Sequence, residues 1–130
     1  MFSEVLAQGR PVILNLWAGL CPVCRAEMPE LQAAHDEYRN RVLIVGVDIG
    51  PFVGLGSEED ARALLNELSI TFPAGTTPDA GVVRDYRVLG IPTTLFVRPN
   101  GEIIQQWTGR LSPNQLNEYI EALLDASASL

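Results

Sequence analysis

The period of apolar positions changes several times along the chain, and each change marks an element. Val12-Ile13-Leu14-Asn15-Leu16-Trp17 is an almost continuous apolar run after Gly9-Arg10-Pro11. Short, apolar and set off by a turn signal, it predicts a buried strand over Val12–Trp17. From Pro22 to Tyr38 the spacing shifts to steps of three and four. Met28, Leu31, Ala34, His35 and Tyr38 then share one face, which predicts an amphipathic helix. Pro29 lies inside it and removes one backbone hydrogen bond, so a kink is expected there. Val42–Asp48 is a second apolar, β-branched run and a second buried strand.

Ser57 followed by Glu58-Glu59-Asp60 reads as a helix cap with an acidic first turn. Ala61, Leu64, Leu65 and Leu68 supply its buried face. Ile70–Phe72 reads as a short strand, Asp79–Tyr86 as a short helix and Thr93–Val97 as a strand. Pro99-Asn100-Gly101 turns the chain into a returning strand, Glu102–Trp107. Ser112-Pro113-Asn114-Gln115 is a capping box with proline at the first helical position. Leu116, Tyr119, Ile120, Leu123 and Leu124 form the apolar stripe of the helix that follows.

Strands alternating with helices, then a hairpin and a helix, predict an α/β fold. Its central mixed β-sheet is flanked by helices on both faces. The first strands are expected to be parallel, joined by right-handed crossovers. In such sheets ligands meet the carboxyl ends of the strands. A length of 130 residues predicts a single domain over residues 1–130.

The net charge of −7 argues against nucleic acid or an anionic membrane surface as a partner. No apolar run is long enough to span a bilayer. Met1-Phe2-Ser3-Glu4-Val5-Leu6 has neither the basic region nor the apolar core of a signal peptide. Gly50-Pro51-Phe52-Val53-Gly54-Leu55-Gly56 is an unusually apolar loop. It is expected to pack on its own domain, with partner docking through Phe52, Val53 and Leu55 as the alternative.

The only two cysteines stand together in Cys21-Pro22-Val23-Cys24, at the junction of the first strand and the first helix. A helix start offers unpaired N–H groups and partial positive charge, and both favour a thiolate. The spacing points to reversible thiol–disulfide exchange. Three other readings compete: half of a zinc site, an inert staple, or plain buried apolar residues. His35 is the sole histidine, so the ligand count is poor for zinc and no metal is expected. It also leaves no obvious base for a cysteine hydrolase.

With these residues in view, the chain resembles the TlpA/ResA/DsbE-like thiol–disulfide oxidoreductases of the thioredoxin-like fold. The resemblance rests on Leu16-Trp17-Ala18-Gly19-Leu20-Cys21-Pro22-Val23-Cys24-Arg25-Ala26-Glu27-Met28-Pro29, on Gly90-Ile91-Pro92-Thr93-Thr94, and on Gly101 with Thr108-Gly109-Arg110. It implies that Cys21 is the exposed nucleophile and Cys24 the shielded resolving thiol. Pro92 would be cis and lie against the disulfide, and Ile91 would offer backbone groups to an extended substrate. Trp17, Pro22 and Val23 would support the site, and Gly109 would leave room for the substrate backbone. Glu27, one turn beyond Cys24, would tune the thiols and move protons; its alternative is a surface carboxylate paired with arginine. Asn15 stands where thioredoxins carry a buried aspartate, and an amide cannot titrate.

The function so implied is reduction of protein disulfides through Cys21 and Cys24. This would be cytochrome c maturation-like, with apocytochrome c as one substrate class, or general extracytoplasmic thiol reduction. A protein disulfide oxidase of the same fold and a non-enzymatic binding module are the alternatives. The implied cofactor is none beyond the Cys21–Cys24 disulfide. The implied partners are protein disulfide substrates and an upstream dithiol donor, met by a monomer. An extracytoplasmic location, in the periplasm or on the outer membrane-surface side, is preferred to the cytoplasm. A signal or anchor would then lie outside this sequence.

Overall fold

The computed structural model describes residues 9–77 and 80–128. Met1–Leu6 therefore lies outside the described residues, as does Asp79. The chain runs β1 (Val12–Trp17), α1 (Pro22–Tyr38), β2 (Leu43–Asp48), α2 (Gly50–Val53), α3 (Glu58–Glu67), β3 (Ala74–Thr76), α4 (Val82–Asp85), β4 (Thr93–Val97), β5 (Ile103–Thr108) and α5 (Pro113–Ala128). One five-stranded sheet has the order β3-β2-β1-β4-β5. β1 pairs parallel with β2, and β2 with β3. β4 is antiparallel to both β1 and β5. The sheet is mixed, and its fold is thioredoxin-like.

β1 lies at the centre, and all six of its residues are buried. Alternation divides them between two cores. Ile13 meets Leu31, Tyr38, Phe96 and Ile120 under α1 and α5. Val12, Leu14 and Leu16 meet Val47, Ile49 and Leu95 on the other face, with Val82 and Val83 of α4 packed against them. A third cluster closes the carboxyl end of β1: Trp17, Ala18, Cys21, Cys24 and Met28 with Ala61 and Leu64 of α3.

The capping signals act as read. Ser57 Oγ accepts from the Asp60 N–H at 3.2 Å, and Asp60 Oδ2 accepts from the Ser57 N–H at 2.9 Å. Gln115 N donates to Ser112 Oγ at 3.2 Å at the start of α5. α1 continues through Pro29.

Several boundaries differ from expectation: α4 covers Val82–Asp85 of the expected Asp79–Tyr86, and β5 runs one residue further, to Thr108. Val42 donates its N–H to the Tyr38 carbonyl, which ties it to the end of α1 and starts β2 one residue later. Glu102 closes the hairpin turn, its N–H donating to Asn100 Oδ1 and its carbonyl accepting from Arg98 N–H, so β5 begins at Ile103. The short strand lies at Ala74–Thr76 rather than Ile70–Phe72. Ile70 N instead bonds Leu65 O to finish α3. The Thr71 N–H is taken by the Gln32 side chain at 2.8 Å, so no ladder can begin there. Phe72 is buried under α1 instead.

Gly19 shows how closely the segment before the cysteines packs on α3. A Cβ there would lie 2.6 Å from Ala61 N and 2.7 Å from the Asp60 carbonyl carbon. Backbone cannot swing aside as a flexible side chain can. Gly19→Ala should therefore destabilise the fold by about 1–3 kcal/mol, seen as a lower urea midpoint at unchanged slope. An unchanged midpoint would mean that α3 is not held against this loop.

Candidate active site

β1 delivers the chain to the carboxyl edge of the sheet, where Ala18-Gly19-Leu20 turns it into α1. Leu20 N–H bonds the Leu55 carbonyl at 2.9 Å, which fastens the turn to the loop after α2. Cys21 is the N-cap of α1 and Pro22 occupies the first turn. Cys21 Sγ accepts the Cys24 N–H at 3.2 Å, so the sulfur does the work a serine or aspartate oxygen does at other helix starts. Both cysteines are free thiols.

Cys21 is not the exposed thiol expected of it: only 5% of its surface is accessible, against 1% for Cys24. The order is as expected, but the access is not. Capping turns Cys21 Sγ inward, into the cluster with Trp17, Ala18 and Met28, and Ile91 packs against that cluster. Burial above all pushes the Cys24 thiol well up, with Cys21 and the charge of Glu27 adding to the effect. Cys24 therefore needs a proton acceptor before it can attack.

Glu27 is the acid nearest to that need. It lies one turn beyond Cys24 on the inner face of α1 and is 1% exposed. The surface-carboxylate alternative falls, because Arg110 pairs with Glu30 and not with Glu27. Glu27 Oε2 accepts the Leu111 N–H at 2.8 Å, and Oε1 accepts from Asn15 Nδ2 at 3.2 Å. The same Nδ2 donates to Thr94 Oγ1 at 3.0 Å. Burial pushes the Glu27 carboxyl above the usual carboxylate range; the Leu111 N–H and the Asn15 amide draw it part of the way back. Thr94 and Leu111 were not singled out from the sequence. Asn15 was singled out only as a residue that cannot titrate, not as a partner of Glu27.

The opposite wall is the loop before β4. The Ile91–Pro92 peptide is cis. The Gly109 N–H bonds the Pro92 carbonyl at 2.8 Å, at a φ of +102° that favours glycine, and a side chain there would meet nothing within 4 Å. Gly109, Arg110 and Leu111 thus join the Pro92 loop to the acids of α1. Leu20 and Val23, beside the cysteines in the chain, are exposed, and so is Leu89, two residues before Ile91. Of the apolar loop, Leu55 packs on the dithiol cluster, whereas Phe52 and Val53 face solvent.

Trp17 is fully buried in the dithiol cluster. Its Nε1 and Asp48 Oδ2 find no hydrogen-bond partner among the described residues. Both line a cavity of about 250 Å³ with Glu58, Arg62 and Thr76. Asp48 Oδ1 accepts the Gly50 N–H at 2.8 Å, and burial raises its carboxyl. His35 stacks edge-on to Phe72, far along α1 from the thiols. Among the described residues no three histidine, cysteine or acidic side chains cluster to hold a metal.

The Glu27 shift carries a pH signature. A folded carboxyl raised above its usual 4.5 holds its proton while the unfolded one has lost it. Its contribution to stability is therefore complete below 4.5 and is lost as pH rises through the folded value. Glu27→Gln stays neutral throughout. In urea titrations from pH 4 to pH 8, on the order of the full carboxylate range, the unmodified protein should lose stability relative to Glu27→Gln. A relative gain would mean that the two hydrogen bonds outweigh burial.

Residues 2–106 match the model of the AhpC/TSA family. The chain is 35% identical over 114 residues to the thiol-disulfide oxidoreductase ResA of Oceanobacillus iheyensis, covering 87% of this chain and 57% of that protein. It is 33% identical over 125 residues to the thiol:disulfide interchange protein DsbE of Escherichia coli, covering 93% and 62%. The chain thus spans about three fifths of the length of these relatives. The crystal structure of StoA from Bacillus subtilis superposes with a TM-score of 0.74 at 25% identity, over 86% of this chain and 83% of that one. The chain belongs to the AhpC/TSA family, and its likeness within it runs to the TlpA/ResA/DsbE-like thiol–disulfide oxidoreductases.

Proposed function

We propose that this chain is a thiol–disulfide oxidoreductase that reduces protein disulfides. One observation carries the reading: two free thiols share the first turn of α1, with a buried, hydrogen-bonded carboxyl one turn beyond them. The Cys21 thiolate attacks a substrate disulfide, forms a Cys21–substrate disulfide and releases the first substrate thiolate. Glu27 then takes the proton from Cys24. The Cys24 thiolate attacks Cys21 Sγ, forms the Cys21–Cys24 disulfide and releases the second substrate thiolate, which is protonated in turn. Two protein thiols are oxidised and one substrate disulfide is reduced to two thiols. A donor dithiol must later reverse the oxidation of Cys21–Cys24.

Ile91 and the cis Pro92 supply the wall against which an extended substrate segment would lie, with Trp17, Pro22, Val23 and Gly109 supporting the site. The chemistry requires no cofactor beyond the two thiols. The inferred site of action is extracytoplasmic, because protein disulfides persist in oxidising compartments. Burial of both sulfurs favours one second reading, a binding module whose dithiol stays idle.

The variants separate these readings. Cys24→Ser should stop after the first step and accumulate a mixed disulfide on Cys21, detected by mass after mixing with oxidised insulin. Cys21→Ser should reduce insulin no faster than solvent thiols do. Glu27→Gln should slow release of the mixed disulfide by about 10²-fold and leave the first step unchanged. A Cys24→Ser protein that captures nothing would leave the idle module as the better account.

A further inference from the structure

Asn15 is the one polar side chain on β1, and it is 1% exposed at the centre of the sheet. A buried amide is costly unless its groups are paired. Asn15 spends its Nδ2 on two acceptors, Glu27 Oε1 from α1 and Thr94 Oγ1 from its register partner on β4. A carboxylate faces it, so the amide nitrogen is the atom that fits there.

We propose that Asn15 is a positioning residue for Glu27: its amide, braced on Thr94, fixes the orientation of the carboxylate beneath the dithiol and keeps it ready to accept a proton. This deepens the proposed exchange reaction and rests on it.

The alternatives at this position fail for separate reasons. An apolar residue would leave Glu27 with the Leu111 N–H alone. An aspartate would set a second carboxyl against the first, and one of the two would have to hold a proton. Asparagine cannot titrate, so it supports the charge of Glu27 without competing for the proton. The other groups acting on Glu27 are Cys24 and Glu30 from its own helix and Arg110 from the β5–α5 connection. Arg110 is occupied by Glu30. Among the described residues of β1 and β4, Asn15 alone bonds the carboxyl, and Thr94 meets the Asn15 amide rather than Glu27.

The first test needs no mutation. In the reduced, isotope-labelled protein, NMR follows the Glu27 side-chain carboxyl and the Asn15 side-chain amide across pH. The amide resonances should move with the same midpoint as the carboxyl; an amide indifferent to Glu27 would overturn the proposal. In Asn15→Ala and Asn15→Asp the Glu27 midpoint should rise. The pH profile for resolving a preformed Cys21 mixed disulfide should shift upward with it, slowing resolution at neutral pH by about tenfold, the worth of one hydrogen bond to a charged acceptor. Attack by Cys21 on a fresh disulfide should be unaffected, which a general loss of structure would not allow. An unmoved midpoint in folded variants would overturn the proposal. A raised midpoint with an unmoved resolution profile would uphold the hold of Asn15 on Glu27 and instead remove Glu27 as the proton acceptor.

Discussion

Burying the Glu27 carboxyl under the dithiol is unfavourable unless other groups offset the loss of water, and much of the fold is arranged to do so. Its two oxygens draw donors from opposite ends of the sequence: the amide of Asn15 on the central strand and the backbone N–H of Leu111 just before α5. Those bonds pin α1 to the sheet and to the β5–α5 connection. The Arg110–Glu30 pair adds a more exposed tie between the same two elements, worth little by itself. Because Gly109 holds the Pro92 carbonyl, the dithiol and the wall facing it share one hydrogen-bonded frame.

The same burial gives the two sulfurs different work. Cys21 caps the helix and accepts an N–H, whereas Cys24 is enclosed and held as a thiol by its surroundings. A thiol of that kind needs a base, and a carboxyl shifted upward by burial is better matched to the task than a surface acid. The apolar enclosure that raises Cys24 also raises Glu27, so acid and thiol are tuned by one environment. Leu20 and Val23, next to the cysteines in the chain, are exposed, as is Leu89, two residues before Ile91.

The sequence was most legible where a local pattern decided the structure. β1, α1 and β4 have the limits read from the sequence: two short apolar runs, the first bounded by a turn signal, and one long stretch of helical period. β3 was misplaced because Gln32, 39 residues from Thr71, takes the backbone N–H that a strand would need. The motif located the dithiol, but the burial of Cys21 depends on α3 and Ile91, which reach it only through the tertiary fold. The partners of Glu27 were hidden for the same reason: Asn15 lies 12 residues away and Leu111 lies 84. An amide inside an apolar strand was the visible sign that something polar had to meet it.

The most direct measurement is to equilibrate the protein in glutathione buffers of graded potential and count free thiols by mass shift. The expected result is a reversible two-thiol transition at the reducing end, nearer the thioredoxin value of about −270 mV than the DsbA value of about −120 mV. No reversible transition across that span would contradict a working dithiol.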